Sequence, residues 1–247
     1  MLGRPHMTRA LAIYDMDKTV TRKATYTPFL LHACRRLAPW RFVLLPLVGL
    51  TLLLYGLKLI DRGRLKELTY TLLIGPGVAP ETLAPVIESF ADAQLEHNIM
   101  PGARRSIAAD KQAGRRLVMA TASYRLYAAA IARRLGFDDV IATDTQVDPR
   151  GRIVARIDGA NCYGLGKLDM IEAGLQREGL EREAVHIRFY SDHVSDAPVH
   201  AWSDEPFAAN PHRRLAKVAE AKGWQVVDWS DRKPRRESTR FRPSSPP

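Results

Sequence analysis

The chain is predicted to fold as an α/β protein, a mostly parallel sheet broken by one long helical insert. Three observations predict this. Short apolar runs recur, and each ends in polar loop residues: 11–14 before Asp15, 117–120 before Thr121, and 186–190 before Ser191 and Asp192. Segments with apolar residues at three- and four-residue spacing separate several of these runs, which is the rhythm of βαβ units. Between the first and second runs lie about a hundred residues that lack that rhythm.

In chain order, 11–14 reads as a buried first strand. Residues 28–98 read as helical and form the insert, leaving 8–27 and 99–229 as the core. Within the insert, residues 42–57 carry no charge; Arg35, Arg36 and Arg41 precede them, and Lys58, Arg62, Arg64 and Lys66 follow. The run is shorter than the roughly 20 residues of a spanning helix, and Pro46 and Gly49 interrupt it. Three readings stand open: a helix buried in the insert, one that dips into a membrane surface with its basic flanks on lipid phosphates, or a true span. Helices are expected at 103–113, 126–135, 167–177 and 212–222, and strands at 117–120, 140–142 and 186–190, with weaker ones at 207–209 and 225–227. Asp148-Pro149-Arg150-Gly151 is a turn signal, so 147–157 reads as a hairpin between two units of the sheet. From 230 to 247 the chain is polar, basic and proline-rich, and is expected to be disordered.

With 46% hydrophobic residues, disorder as the dominant state is excluded. The net charge of +10 favours anionic partners: a phosphorylated small molecule, a lipid headgroup or nucleic acid. A single aromatic residue, Phe241, in the basic tail makes no stacking series, so specific nucleic-acid binding is not expected. Cys34 and Cys162 stand far apart without metal-ligand neighbours, which points to a reducing, cytoplasmic setting. Residues 1–10 do not read as a signal peptide, and either Met1 or Met7 serves as the start.

Asp15 and Asp17 stand two apart at the end of the first strand, so in extended backbone both carboxylates face one substrate. One can attack phosphorus while the other gives a proton to the leaving oxygen. Thr121 ends the second strand, where its hydroxyl can hold a phosphoryl oxygen. Lys167 starts a helix, where its charge can offset that of the phosphoryl group. Asp192 and Asp196 follow the fourth strand and, with Asp15, can make an all-oxygen Mg²⁺ site.

These residues resemble the four motifs of the haloacid dehalogenase superfamily: Asp15-Met16-Asp17-Lys18-Thr19, Thr121 in Ala120-Thr121-Ala122-Ser123, Lys167 in Gly166-Lys167-Leu168, and Ser191 to Asp196. The resemblance implies a Rossmann-like core with a helical C1-type cap, as in its phosphoserine-phosphatase-like branch. It also implies that Asp15 forms an aspartyl-phosphate, that Asp17 is the acid and then the base, and that Thr121, Ala122, Ser123 and Lys167 bind the phosphoryl group. Asp15, the backbone carbonyl of Asp17, Asp192 and Asp196 would hold Mg²⁺. Lys18, Ser191 and His193 depart from glycines common in those motifs. The base-flanked apolar segment, Tyr190-Ser191-Asp192 and Ala209-Asn210-Pro211 resemble a membrane-associated subgroup acting on phosphatidylglycerophosphate. That implies a lipid-phosphate substrate and a place at the cytoplasmic membrane face.

Overall fold

In the computed structural model, which describes residues 9–230, the first apolar run forms strand β1 (Arg9–Tyr14). Its last four residues are buried because parallel strands flank it on both edges: β2 (Arg116–Tyr124) on one side and β5 (Val185–Ser191) on the other. Beyond β2 lies β3 (Asp139–Val147), parallel, and then β4 (Ile153–Asp158), antiparallel. Beyond β5 lie β6 (Glu205–Ala209) and β7 (Gln225–Val227), both parallel, giving the order β4-β3-β2-β1-β5-β6-β7. The expected tail, Ser230 apart, and both candidate start methionines fall outside the described residues.

Alternation along β1 divides the core into two layers. Ala12 and Tyr14 face one cluster, with Leu117, Met119 and the helices before and after β2; Leu11 and Ile13 face another, with Ile171, Leu175 and Val199. The α-helices between β1 and β2 are α1 (Tyr26–Leu37), α2 (Leu45–Gly56), α3 (Arg62–Leu73), α4 (Pro80–His97) and α5 (Pro101–Gln112); after β2 come α6 (Arg125–Leu135), α7 (Leu165–Arg177), α8 (Ala197–Trp202) and α9 (Arg213–Lys222). The strand expected at 140–142 and the first arm of the hairpin prove to be one strand, β3. Its parallel pairing to β2 ends at Thr143, and its antiparallel pairing to β4 begins at Asp144. The turn is closed by Asp148, whose carboxylate accepts from the backbone N–H of Arg150 and Arg152, both at 2.9 Å.

The buried-helix reading of the apolar segment is corrected. Of α2 only Thr51 is buried, and the helical run Pro39–Gly56 has 18 residues, a mean hydropathy of 1.5 and 6% of its length buried. By length and composition that run is enough to cross a membrane, so the expectation of too short a segment is corrected too. A 3-10 turn (Pro39–Leu44) lengthens the helix on its N-terminal side. Yet α1 and α3 pack against each other, and Arg41 donates to the carbonyls of Thr71 and Leu72 at 3.1 Å. The two ends of the run therefore return to the same side of the molecule.

Gly102, in the first turn of α5, lies against the backbone of Trp229 and donates its N–H to the Trp229 carbonyl at 3.3 Å. A Cβ there would stand 2.5 Å from Trp229 Cα. Gly102→Ala is therefore expected to displace the segment after β7 and to cost about 1–3 kcal/mol, measurable as a lowered melting temperature.

Candidate active site

β1 ends in the centre of the sheet, so the residue after it emerges at the carboxyl edge, where open α/β sheets bind ligands. That residue is Asp15, anchored by its N–H to the Tyr190 carbonyl at 2.9 Å. Lys167, on the first turn of α7, donates to Asp15 Oδ1 at 2.8 Å and to Asp196 Oδ2 at 2.6 Å. Ser191 Oγ also donates to Asp196 Oδ2, at 2.7 Å. Thr19 Oγ1 lies 3.0 Å from Asp15 Oδ2 and 3.3 Å from Asp192 Oδ1, and accepts from the Asp192 N–H. Thus Asp15, Lys167 and the pair Asp192 and Asp196 meet from three separate parts of the chain.

Burial pushes the Asp15 carboxyl up to about 7; Lys167 opposes this, while Asp196 and Asp192 add to it. Burial, and then Asp196, push Asp192 up to about 6. Burial alone would lower Lys167, but Asp15 and Asp196 outweigh it and hold its ammonium above the usual lysine range. Three crowded carboxylates thus face one buried cation.

The donor set fits Mg²⁺. Asp15, Asp192 and Asp196 offer hard oxygens, and Asp196 Oδ1 is buried without a hydrogen-bond partner. Among the described residues no three acidic, histidine or cysteine side chains are grouped closely enough to enclose an ion as they stand. Lys167 bridges two of the three carboxylates instead.

Asp17 follows a different course. Lys18 adopts φ 64°, the left-handed region that glycine enters without strain, which accounts for the glycine in the motif it resembles. The tight turn Met16–Val20 carries Asp17 toward the insert. There its Oδ1 accepts from the N–H and Oγ1 of Thr25 at 2.7 and 2.8 Å, and its Oδ2 from Ser123 Oγ at 2.7 Å. Its carboxylate is therefore not among the three acidic groups around Lys167, and in the expected metal set only its backbone carbonyl is left as a ligand. Both Asp15 and Asp17 nonetheless line one cavity of about 220 Å³, with Thr121, Ala122, Lys167, Asp192 and Asp196.

Thr121 is fully buried at the point where the pairing of β2 with β3 shifts register. Its Oγ1 accepts from the Ser123 N–H at 3.1 Å, closing the loop. Ser123 is occupied by Asp17 and by the Tyr127 hydroxyl, which donates to it at 2.7 Å. The Ala122 carbonyl accepts from Thr143 Oγ1 at 3.0 Å and from the Lys66 ammonium.

Lys66 escaped the sequence reading as a site residue. It lies on α3, is 5% exposed, and also donates to Asn161 Oδ1 at 3.0 Å. Burial, then the Arg62 guanidinium, push it down to about 7, with Asp17 opposing. A signal existed: Lys66 shares the buried stripe of α3 with Thr69, Tyr70 and Leu73, a lysine at helical spacing on an inward face. A second cavity, about 280 Å³, is lined by Lys66, Arg62, Tyr26, Tyr55, Asp17 and Ser123, and shares residues with the first. A larger one, about 500 Å³, lies between α3 and the β3–β4 hairpin, away from the carboxylates.

Residues 12–200 match the haloacid dehalogenase-like hydrolases. The chain is 31% identical over 168 residues to phosphoserine phosphatase SerB1 of Mycobacterium tuberculosis, covering 68% of this chain and 52% of that one. The chain thus spans about half the length of that relative. It is 29% identical over 236 residues to the protein named probable phosphatase Rv3661 of the same organism, covering 92% and 78%. A solved structure of a Bordetella pertussis protein of unknown function superposes with a TM-score of 0.81 at 28% identity, covering 90% of this chain and 99% of that one. With Asp15 at the centre of the sheet and a match running through more than half its length, the chain belongs to the haloacid dehalogenase-like hydrolases.

Proposed function

We propose that the protein is a Mg²⁺-dependent phosphatase that hydrolyses a phosphomonoester through an aspartyl-phosphate on Asp15. The observation that carries this reading is Asp15 held by Lys167 on one wall of a cavity whose other wall carries Asp17. An Asp15 oxygen attacks phosphorus, the ester P–O bond breaks, and Asp17 gives its proton to the leaving oxygen. Asp17 then takes a proton from water, whose oxygen attacks phosphorus and releases Asp15 with inorganic phosphate. Lys167 and the Thr121 hydroxyl hold the phosphoryl oxygens while Asp17 waits on Thr25 and Ser123. Mg²⁺, when held by Asp15, Asp192 and Asp196, supplies positive charge to the same oxygens.

Within that chemistry the substrate is a lipid phosphate such as phosphatidylglycerophosphate, a reading supported by the apolar, base-flanked insert beside the second cavity. A soluble phosphomonoester is the second reading, supported by the name of the SerB1 relative. Phosphate release from phosphatidylglycerophosphate, lysophosphatidate, phosphoserine and an aryl phosphate, with Mg²⁺ and with chelator, tests both. Turnover of the lipid no better than that of soluble phosphates removes the lipid reading. No release from any of them shifts the reading to a regulatory protein that binds phosphate without cleaving it. Asp17→Asn is expected to lower kcat by about 10²–10⁴-fold, with the loss smallest for the aryl phosphate, whose leaving group least needs a proton.

A further inference from the structure

Helix α2 is built inside out. Its one buried residue is the polar Thr51, whose Oγ1 donates back to the Val48 carbonyl at 2.7 Å. Meanwhile Leu45, Leu47, Leu50, Leu52, Leu53 and Leu57 are 42–60% exposed. A soluble helix places its apolar stripe inward and its polar face outward; this one reverses both. Trp40 stands exposed before the helix and Tyr55 near its end, the side chains that favour a boundary between water and hydrocarbon.

The charges around it have one sign. From Lys18 to Ile60 the chain has no acidic residue and seven basic ones. Arg35 and Arg36 at the end of α1, and Lys58 after α2, are exposed, and among the described residues none is ion-paired with a carboxylate. A second copy seated on this face would bring two such basic rims together within a screening length. A partner helix would also cover only one stripe of α2, whereas the exposed leucines spread over most of its circumference. A hydrocarbon medium with anionic headgroups above it satisfies both the spread and the charge.

We propose that α2 and its flanking turns form a docking surface for an anionic lipid bilayer, with the leucines entering the acyl boundary and the basic residues meeting the headgroup phosphates. Because both ends of the run return to the same side of the molecule, the helix lies in the surface and does not cross it. Tyr55 and Arg62 border the second cavity, so the docked face turns the cavity mouth toward the headgroups. Delivery of a lipid phosphate through that mouth rests on the phosphatase reading; the docking itself does not.

The test is co-sedimentation of the full chain with vesicles of phosphatidylcholine alone, and of phosphatidylcholine mixed with an equal part of phosphatidylglycerol. Tight binding to the mixed vesicles is expected, and weaker binding to the neutral ones. Leu50→Glu with Leu53→Glu is expected to weaken binding about a hundredfold or more. Arg35→Gln with Arg36→Gln is expected to weaken it about thirtyfold on the anionic vesicles only. Hydrolysis of a soluble aryl phosphate by the double glutamate variant should match that of the wild type, which also shows that the variant is folded. Absence of binding by the wild type, or binding unchanged in both variants, overturns the proposal. A dimer in solution that the double glutamate variant disperses, without vesicle binding, assigns the face to a second copy and overturns it too. Loss of all hydrolysis in the wild type would count against the phosphatase reading and leave the binding result standing.

Discussion

Asp15→Asn should reduce phosphate release by about 10⁴-fold or more while leaving the fold in place. The amide keeps the shape of the carboxyl but cannot form the phosphoryl bond. Lys167 keeps Asp196, and Thr19 keeps its contact with Asp192. The stability change carries a sign that can be checked. Asp15 has its carboxyl raised from 3.8 to about 7 by burial. Between those values the folded chain holds a proton that the unfolded chain has released, so this group makes stability fall as pH rises. The asparagine variant loses that contribution. Its melting temperature, recorded in chelator, should therefore fall less than that of the wild type as pH rises through the window. A variant with near-normal turnover would refute the nucleophile assignment.

Lys167→Met should be the most damaging change to stability in the site. The lysine is 2% exposed and bridges two buried carboxylates. Removing it leaves Asp15 and Asp196 facing each other without compensation, a loss of about 3–5 kcal/mol. Denaturant unfolding at neutral pH measures this. Two conditions should lessen it: acid, because protonation of Asp15 removes the repulsion, and Mg²⁺, because the carboxylates then have another cation. Activity should fall by about 10²–10³-fold, since a charge facing the phosphoryl group is lost. If neither acid nor Mg²⁺ recovers stability, the bridge is packing and not electrostatics.

The ends of the strands were the most legible part of the sequence. Apolar runs stopping at Asp15, Thr121 and Ser191 place polar groups at one edge of a parallel sheet, because a buried strand admits no charge until it emerges. Lys167 was legible through its place at a helix start, since Gly164 and Gly166 stand just before it. Other features were hidden for physical reasons. A segment that is apolar all round is either core or lipid-facing, and composition is the same in both; only the exposure of its leucines in the fold showed α2 to be outside. Lys66 was hidden among basic residues that are mostly exposed, and only the burial of its neighbours on α3 singles it out. The continuity of β3 was hidden because one strand changes partner midway, from the parallel β2 to the antiparallel β4. Lys18 gave no sign of its left-handed backbone, since the side chain carries no record of φ.

Asp17 is fastened to two parts of the chain at once. Thr25, the residue that leads into α1, gives it two hydrogen bonds, and Ser123 gives it one from the end of β2. Any displacement of α1 from β2 would have to break one set or the other, so the aim of the Asp17 carboxylate is tied to the spacing of those two elements.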